Sequence, residues 1–261
     1  MDMKFMNRNF INEELATAAP HRCARAINPF CEHSLFPAGG VWRGLFHNFC
    51  YLQHVNSAVS SQVLFYDQSG TNVPGLSAAV NLPPGGSTRF TLPDSGPLKV
   101  VWGELAAGSG TVEGVATFDL RASNGSLIAT AGVLGMQGGN SFLVPVDVTA
   151  NGSTGVAIAN ASAGNSVNVR LKLVGENGVP VASVDDSRLN PLDPHAQIAD
   201  FVTSMFPQLV NTTFKGTLVI EAGAGSAGGA LAATALTVKE GLLSALPAPG
   251  AAPYPQAAHK T

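Results

Sequence analysis

The sequence predicts an all-β chain folded as two antiparallel β-sandwiches in tandem, and three observations predict it. The chain repeats itself: Tyr51–Pro74 reads YLQHVNSAVSSQVLFYDQSGTNVP and Val156–Pro180 reads VAIANASAGNSVNVRLKLVGENGVP. Each segment is an apolar strand, a polar turn, an alternating strand and a Gly-containing turn. A repeat of about a hundred residues is domain-sized, which implies two copies of one module. Composition is the second observation. The 261 residues include 29 glycines and 17 prolines, which suit a turn-rich β protein. The third is spacing: short apolar runs are bounded by turn signals at sandwich-like intervals.

Taken in order, residues 1–35 match neither copy. They predict a poorly ordered leader with weak helical potential over Asn12–Ala19. The first sandwich is expected over residues 36–138. FPAGGVW is a turn-rich entry, followed by strands at Leu45–Val55 and Gln62–Tyr66, the latter closed by Asp67-Gln68-Ser69-Gly70. Leu82-Pro83-Pro84-Gly85-Gly86 is a rigid turn before a strand at Thr88–Leu92. Leu98–Gly103 and Val112–Arg121 read as a strand pair. Asn124-Gly125 favours a hairpin because both residues tolerate positive φ, and Leu127–Val133 completes the module.

The second sandwich is expected over residues 139–247, the two joining near Gly135–Asn140. FLVPVDV and TGVAIAN are strands. In Val167–Leu173 the residues Val167, Val169, Leu171 and Leu173 share one face, with Asn168, Arg170 and Lys172 on the other. That alternation marks a half-buried antiparallel strand. Asn177-Gly178 is a second hairpin turn, and Ala199–Met205 reads as a short helix ended by Pro207. Strands follow at Thr217–Glu221, Leu231–Lys239 and Leu242–Leu246. Residues 248–261 form an Ala/Pro-rich tail expected to be disordered.

The copies overlay in order. His54 matches Asn160, Gly70 matches Gly178, and Leu82-x-Pro84 matches Leu192-x-Pro194. Gly96-x-Leu98-x-Val100 matches Gly216-x-Leu218-x-Ile220, and Phe118-x-Leu120-Arg121 matches Leu236-x-Val238-Lys239.

Charged residues make up only 12%, about half the usual share, so the surface must be built from Ser, Thr, Asn, Gly and Ala. A net charge of −3 supplies no basic surplus for nucleic acid or acidic membranes. No run approaches the roughly 18 apolar residues of a membrane span. Met1–Cys23 does not read as a secretory signal, because Glu13 and Glu14 interrupt the apolar region. Composition nevertheless points to an extracellular or cell-surface location.

Several motifs suggest chemistry, and each has a plainer reading that the sequence favours. Gly223-Ala224-Gly225-Ser226-Ala227-Gly228 is a literal G-x-G-x-x-G after an apolar strand, with Glu240 downstream. In a dinucleotide site such glycines admit a pyrophosphate to a helix N-terminus. Gly229–Ala235 is too short for the crossover helix of a parallel return. A long hairpin loop is the expectation. Ser109 and Ser226 sit in Gly-rich loops that would not hold a nucleophile rigidly. His195 lies near Asp193 and Asp200, a pairing that can orient a base, but it falls in a predicted turn and reads as solvated. Asp185, Asp186, Asp193 and Asp200 lack the D-x-D-x-D spacing of a calcium loop. Cys23, Cys31 and Cys50, with His21, His33, His47 and His54 among them, contain no C-x-x-C pair and read as incidental. Trp42 and Trp102 fall in or beside predicted strands, where core packing is the expected use. Asn124, Asn151, Asn160 and Asn211 begin N-x-S/T sequons, which matter only in a eukaryotic secretory route. No catalytic, cofactor-binding or metal-binding residue is therefore assigned, and the chain does not read as an enzyme.

The layout resembles a tandem Ig-like β-sandwich repeat module of bacterial secreted and surface proteins. The matching pieces are Gly39-Gly40-Val41-Trp42, FYDQSG, LPPGGSTRF, SFLVPVD, TGVAIAN, and Phe201–Pro207 followed by Phe214-Lys215-Gly216-Thr217-Leu218, together covering roughly residues 36–247. The resemblance implies Ig-like scaffold domains attached to larger extracellular proteins, with no active site to carry over. The expected function is a non-catalytic structural or adhesive module, a surface, stalk or filament component. It would need no cofactor and would self-associate, or bind other surface proteins, through edge strands. The alternatives are a carbohydrate-binding module and an accessory fragment of a secreted enzyme.

Overall fold

Apolar alternation punctuated by Gly, Pro and Asn turns gives fifteen strands among the described residues of the computed structural model. These residues are 42–53, 58–91, 101–105, 112–122, 126–184, 186–226, 230–239, 242–246, 248 and 250. The first half holds β1 (Trp42–Gln53), β2 (Val59–Asp67), β3 (Ala78–Leu82), β4 (Ser87–Thr91), β5 (Val101–Leu105), β6 (Val112–Ala122) and β7 (Leu127–Leu134). The second holds β8 (Ser141–Val148), β9 (Gly152–Asn160), β10 (Val169–Gly175), β11 (Pro180–Val184), β12 (Gln197–Phe201), β13 (Phe214–Ala222), β14 (Leu231–Lys239) and β15 (Leu242–Leu246). One helical turn, α1 (Val202–Met205), follows β12.

Every strand pairing is antiparallel. The first half forms sheets ordered β4-β1-β6-β7 and β3-β2-β5. The second forms β12-β9-β14-β15 and β11-β10-β13-β8. The two halves therefore share one strand order, β9 to β15 standing where β1 to β7 stand. β8 is the one strand of the second half without a described counterpart. The turn glycines correspond as well: Gly70 and Gly178 both have positive φ, at 84° and 76°.

Four expectations need correction. Leu98–Gly103 and Val112–Arg121 were expected to pair, yet β5 pairs with β2, while β6 pairs with β1 and β7. These neighbours in sequence lie in different sheets. The same holds for Gly223–Gly228, which joins β13 to β14 across sheets and is not a hairpin loop. Counted from the turn glycines, the β2 register brings Val101, rather than Gly96, into the position of Gly216. Finally, Ala199–Phe201 is strand, paired with Ala157, Val156 and Gly155, and the helix is the single turn Val202–Met205. Pairing along β9 outweighs the helical composition of the segment.

The core of the second half lies between its two sheets and includes Phe142, Val156, Ile158, Leu171, Leu173, Phe206, Leu218 and Ile220. As the alternation predicts, Val167, Val169, Leu171 and Leu173 are buried while Asn168 and Arg170 are exposed. The first half buries Val63, Phe65, Val80, Leu82 and Val101, and this cluster continues into Ala157, Ala199 and Leu236 of the second half. The β12-β9-β14-β15 sheet is thus covered on both faces. Val156 and Ile158 point to its own core, and Ala157 and Ala199 point to the other half. Eight of the nine β9 residues are buried accordingly.

Candidate functional site

Four titratable or aromatic side chains, Tyr66, Trp102, Glu104 and His195, converge where the β2–β3 turn meets the loop before β12. The turn is fixed locally. Asp67 Oδ1 accepts from the Ser69 amide at 2.9 Å, the Ser69 hydroxyl at 2.7 Å and the Thr71 amide at 3.0 Å. Such an Asx-type arrangement closes the turn without help from the rest of the protein. It brings Gly70 against the opposite loop so closely that an added Cβ would lie 2.2 Å from the Pro194 carbonyl oxygen and 2.8 Å from the Ala196 nitrogen. The Gln197 amide then donates to the Gln68 carbonyl at 3.2 Å, tying the two halves backbone to backbone.

The opposite loop is held from behind by Asn160. Asn160 is fully buried. Its Nδ2 donates to the carbonyls of Asn165, Leu192 and Asp193, at 2.8, 3.0 and 3.1 Å. Its Oδ1 accepts from the Ser162 amide at 2.9 Å. One side chain thereby satisfies groups on two connections, which fixes the segment that carries His195.

His195 takes φ +57°, and its ring stacks flat on Tyr66 with centroids 4.0 Å apart and planes 2° from parallel. Trp102 packs beside both, 5.4 Å from Tyr66 and 6.1 Å from His195, and its indole N–H donates to the His195 carbonyl at 2.6 Å. A buried Trp needs a partner for that N–H, and here the partner lies in the other half. Glu104 approaches from β5, with Oε2 3.7 Å from His195 Nδ1. Burial lowers the His195 pKa below the imidazole value and raises that of Glu104. Burial, and then the Glu104 charge, raises Tyr66. His195 Nδ1 and both polar atoms of the Gln197 amide are buried without a hydrogen-bond partner.

This arrangement corrects the reading of His195 as a solvated turn residue. The ring is a wedge between halves, its backbone carbonyl committed to Trp102 and its face to Tyr66. Its supposed partners are engaged elsewhere. Asp193 accepts from Ser166 Oγ at 3.0 Å. Asp200 and Asp186 are bridged by Arg188, at 2.8 and 2.6 Å. A guanidinium thus occupies the position between two of the four aspartates considered for calcium, and Asp185 lies outside the described residues. Those carboxylates, and burial in the opposite sense, move the Arg188 pKa further up.

Trp102 is buried, as expected of a core indole. Trp42, His47 and Cys50 lie on β1. Cys23, Cys31, His21, His33, His54, Ser109, Asn124 and Glu240 lie outside the described residues. Ser226 donates its hydroxyl and its amide to the Gly223 carbonyl and so closes its own turn. Of the sequons, Asn160 is inaccessible, whereas Asn151 and Asn211 are exposed.

Sequence reasoning gave no role to Tyr66, Glu104 or Gln197. One signal was present. In TGVAIAN and LAATALTV apolar or small residues occupy both parities, which marks a strand buried on both faces and therefore a covering partner. A scan of protein-family models finds no matching family, and neither the curated proteins nor the solved structures contain a match.

Proposed function

We propose that this chain is a non-catalytic scaffold: two tandem Ig-like sandwiches, residues 36–138 and 139–247, that arose by duplication and act as an extracellular structural or adhesive element. One observation carries the proposal. The most chemically suggestive side chains, His195, Tyr66, Trp102 and Glu104, are spent on packing one half against the other. The shared strand order supports duplication. Edges for partners are also available. Among the described residues β11 pairs with β10 alone, and Val181 on it is 55% exposed. An apolar strand with one free edge suits pairing with another chain.

The test is twofold. Sedimentation and retention on bacterial cell surfaces should reveal self-association or adhesion by the wild type, and both should persist in His195→Gln. A hydrolytic or redox turnover that H195Q abolishes while melting stays unchanged would sink the scaffold reading. Retention on insoluble polysaccharide alone would shift the assignment to a carbohydrate-binding module.

A further inference from the structure

Two Asn-Gly dipeptides lie in turns of the second half, Asn151-Gly152 between β8 and β9 and Asn177-Gly178 between β10 and β11. Both asparagines are exposed, so access to water does not separate them. Hydrogen bonding does. At Asn177 both groups that could react with each other are held: the side-chain Oδ1 accepts from the Val179 amide at 3.1 Å, and the Gly178 amide donates to the Gly175 carbonyl at 2.9 Å. The Asn151 side chain makes no hydrogen bond among the described residues. The Gly152 amide reaches the Thr149 carbonyl only at 3.5 Å, beyond the ordinary N–H···O length. Packing also dictates the glycine. An added Cβ at position 152 would lie 2.7 Å from the Val238 carbonyl oxygen, so the approach of the turn to β14 requires a residue without a side chain.

We propose that Asn151 is a self-modifying site, converted through a cyclic imide to aspartate and isoaspartate while Asn177 stays intact. The Gly152 nitrogen attacks the Asn151 Cγ, the bond from Cγ to Nδ2 breaks, and ammonia leaves with the proton of the attacking amide. Water then opens the imide at one of its two ring C–N bonds. An opening at Cγ gives aspartate, and an opening at the backbone carbonyl gives isoaspartate. In sum an amide and water become an acid and ammonia, with no enzyme and no oxidant. Either product adds one negative charge to a chain whose formal net charge is −3. Isoaspartate also lengthens the backbone by one methylene, immediately before the pairing of Gly152 with Lys239. The inference rests on the turn geometry and is independent of the scaffold assignment.

Peptide mass mapping of the native full chain, aged at mildly alkaline pH, tests it, with enzymatic methylation of isoaspartate as a second readout. Asn151 should convert about tenfold or more faster than Asn177, where two hydrogen bonds must break before attack. The chain held unfolded in guanidinium supplies the reference. Both sites are plain Asn-Gly there, and their rates should converge. Equal native rates, or faster loss of Asn177, overturn the proposal. So does an Asn151 that stays intact in the native chain for as long as the unfolded chain takes to convert. A preference that survives unfolding unchanged also overturns it, because the sequence neighbours and not the fold would then set the rate.

Discussion

At the residue scale, the matched glycines separate two causes of the same preference. Gly70 and Gly178 both need positive φ, but only Gly70 lies against another segment. Gly178→Ala should cost about 1 kcal/mol, the backbone penalty alone. Gly70→Ala should cost roughly 2 kcal/mol more, because a Cβ at 2.2 Å from Pro194 O forces the halves apart. Urea unfolding of the two variants measures the difference, and equal losses would refute the close approach. His195 gives a pH signature. Its partly buried imidazole favours the neutral form, so its folded pKa lies below the unfolded one. Its contribution to stability is complete above the unfolded value, about 6.5, and is lost as pH falls through the folded value. Glu104 has the opposite sign: its pKa is raised, so its contribution is present below the unfolded carboxyl value and lost as pH rises. Subtracting the H195Q profile from the wild-type profile should leave a stability difference that shrinks on acidification from pH 7. A difference independent of pH would contradict the lowered imidazole pKa.

At the element scale, the alanines of β9 and β12 decide how closely the first half approaches. Ala157 and Ala199 sit side by side across the β9–β12 pair and both are almost inaccessible. Ala157→Leu adds volume at a fully buried position and should cost about 1–3 kcal/mol, read as a lower urea midpoint with an unchanged slope. A change near zero would mean that the face is loosely covered. The strands of this region were legible in the sequence, and Leu231–Lys239 and Leu242–Leu246 match residue for residue. Their partners were not. Alternation specifies which way side chains point, but it does not say which strand lies alongside, and β5 beside β6 was the wrong choice for that reason. Ala199–Phe201 misled differently, since helix-compatible residues became strand once β9 offered a complete ladder. The junction was the least legible part. Tyr66, Trp102, Glu104 and His195 lie up to 129 residues apart in sequence, and no local pattern links them.

At the scale of the molecule, the apolar cluster that begins in the first half and ends at Ala157, Ala199 and Leu236 predicts one cooperative unfolding transition instead of two. Calorimetry should give a van't Hoff enthalpy equal to the calorimetric one, and two resolved peaks would show that the halves melt independently. The turn signals and short apolar runs reveal the all-β architecture; the covering of one sheet by the neighbouring half appears only in three dimensions. That covering has a consequence for lineage. A sandwich with a wetted outer face can be copied, excised or strung out singly like a bead. The face of the β12-β9-β14-β15 sheet turned to the first half carries Ala157, Ala199 and Leu236, so the second half alone would present an apolar face to water. Any longer assembly containing these strands would have to carry both halves together.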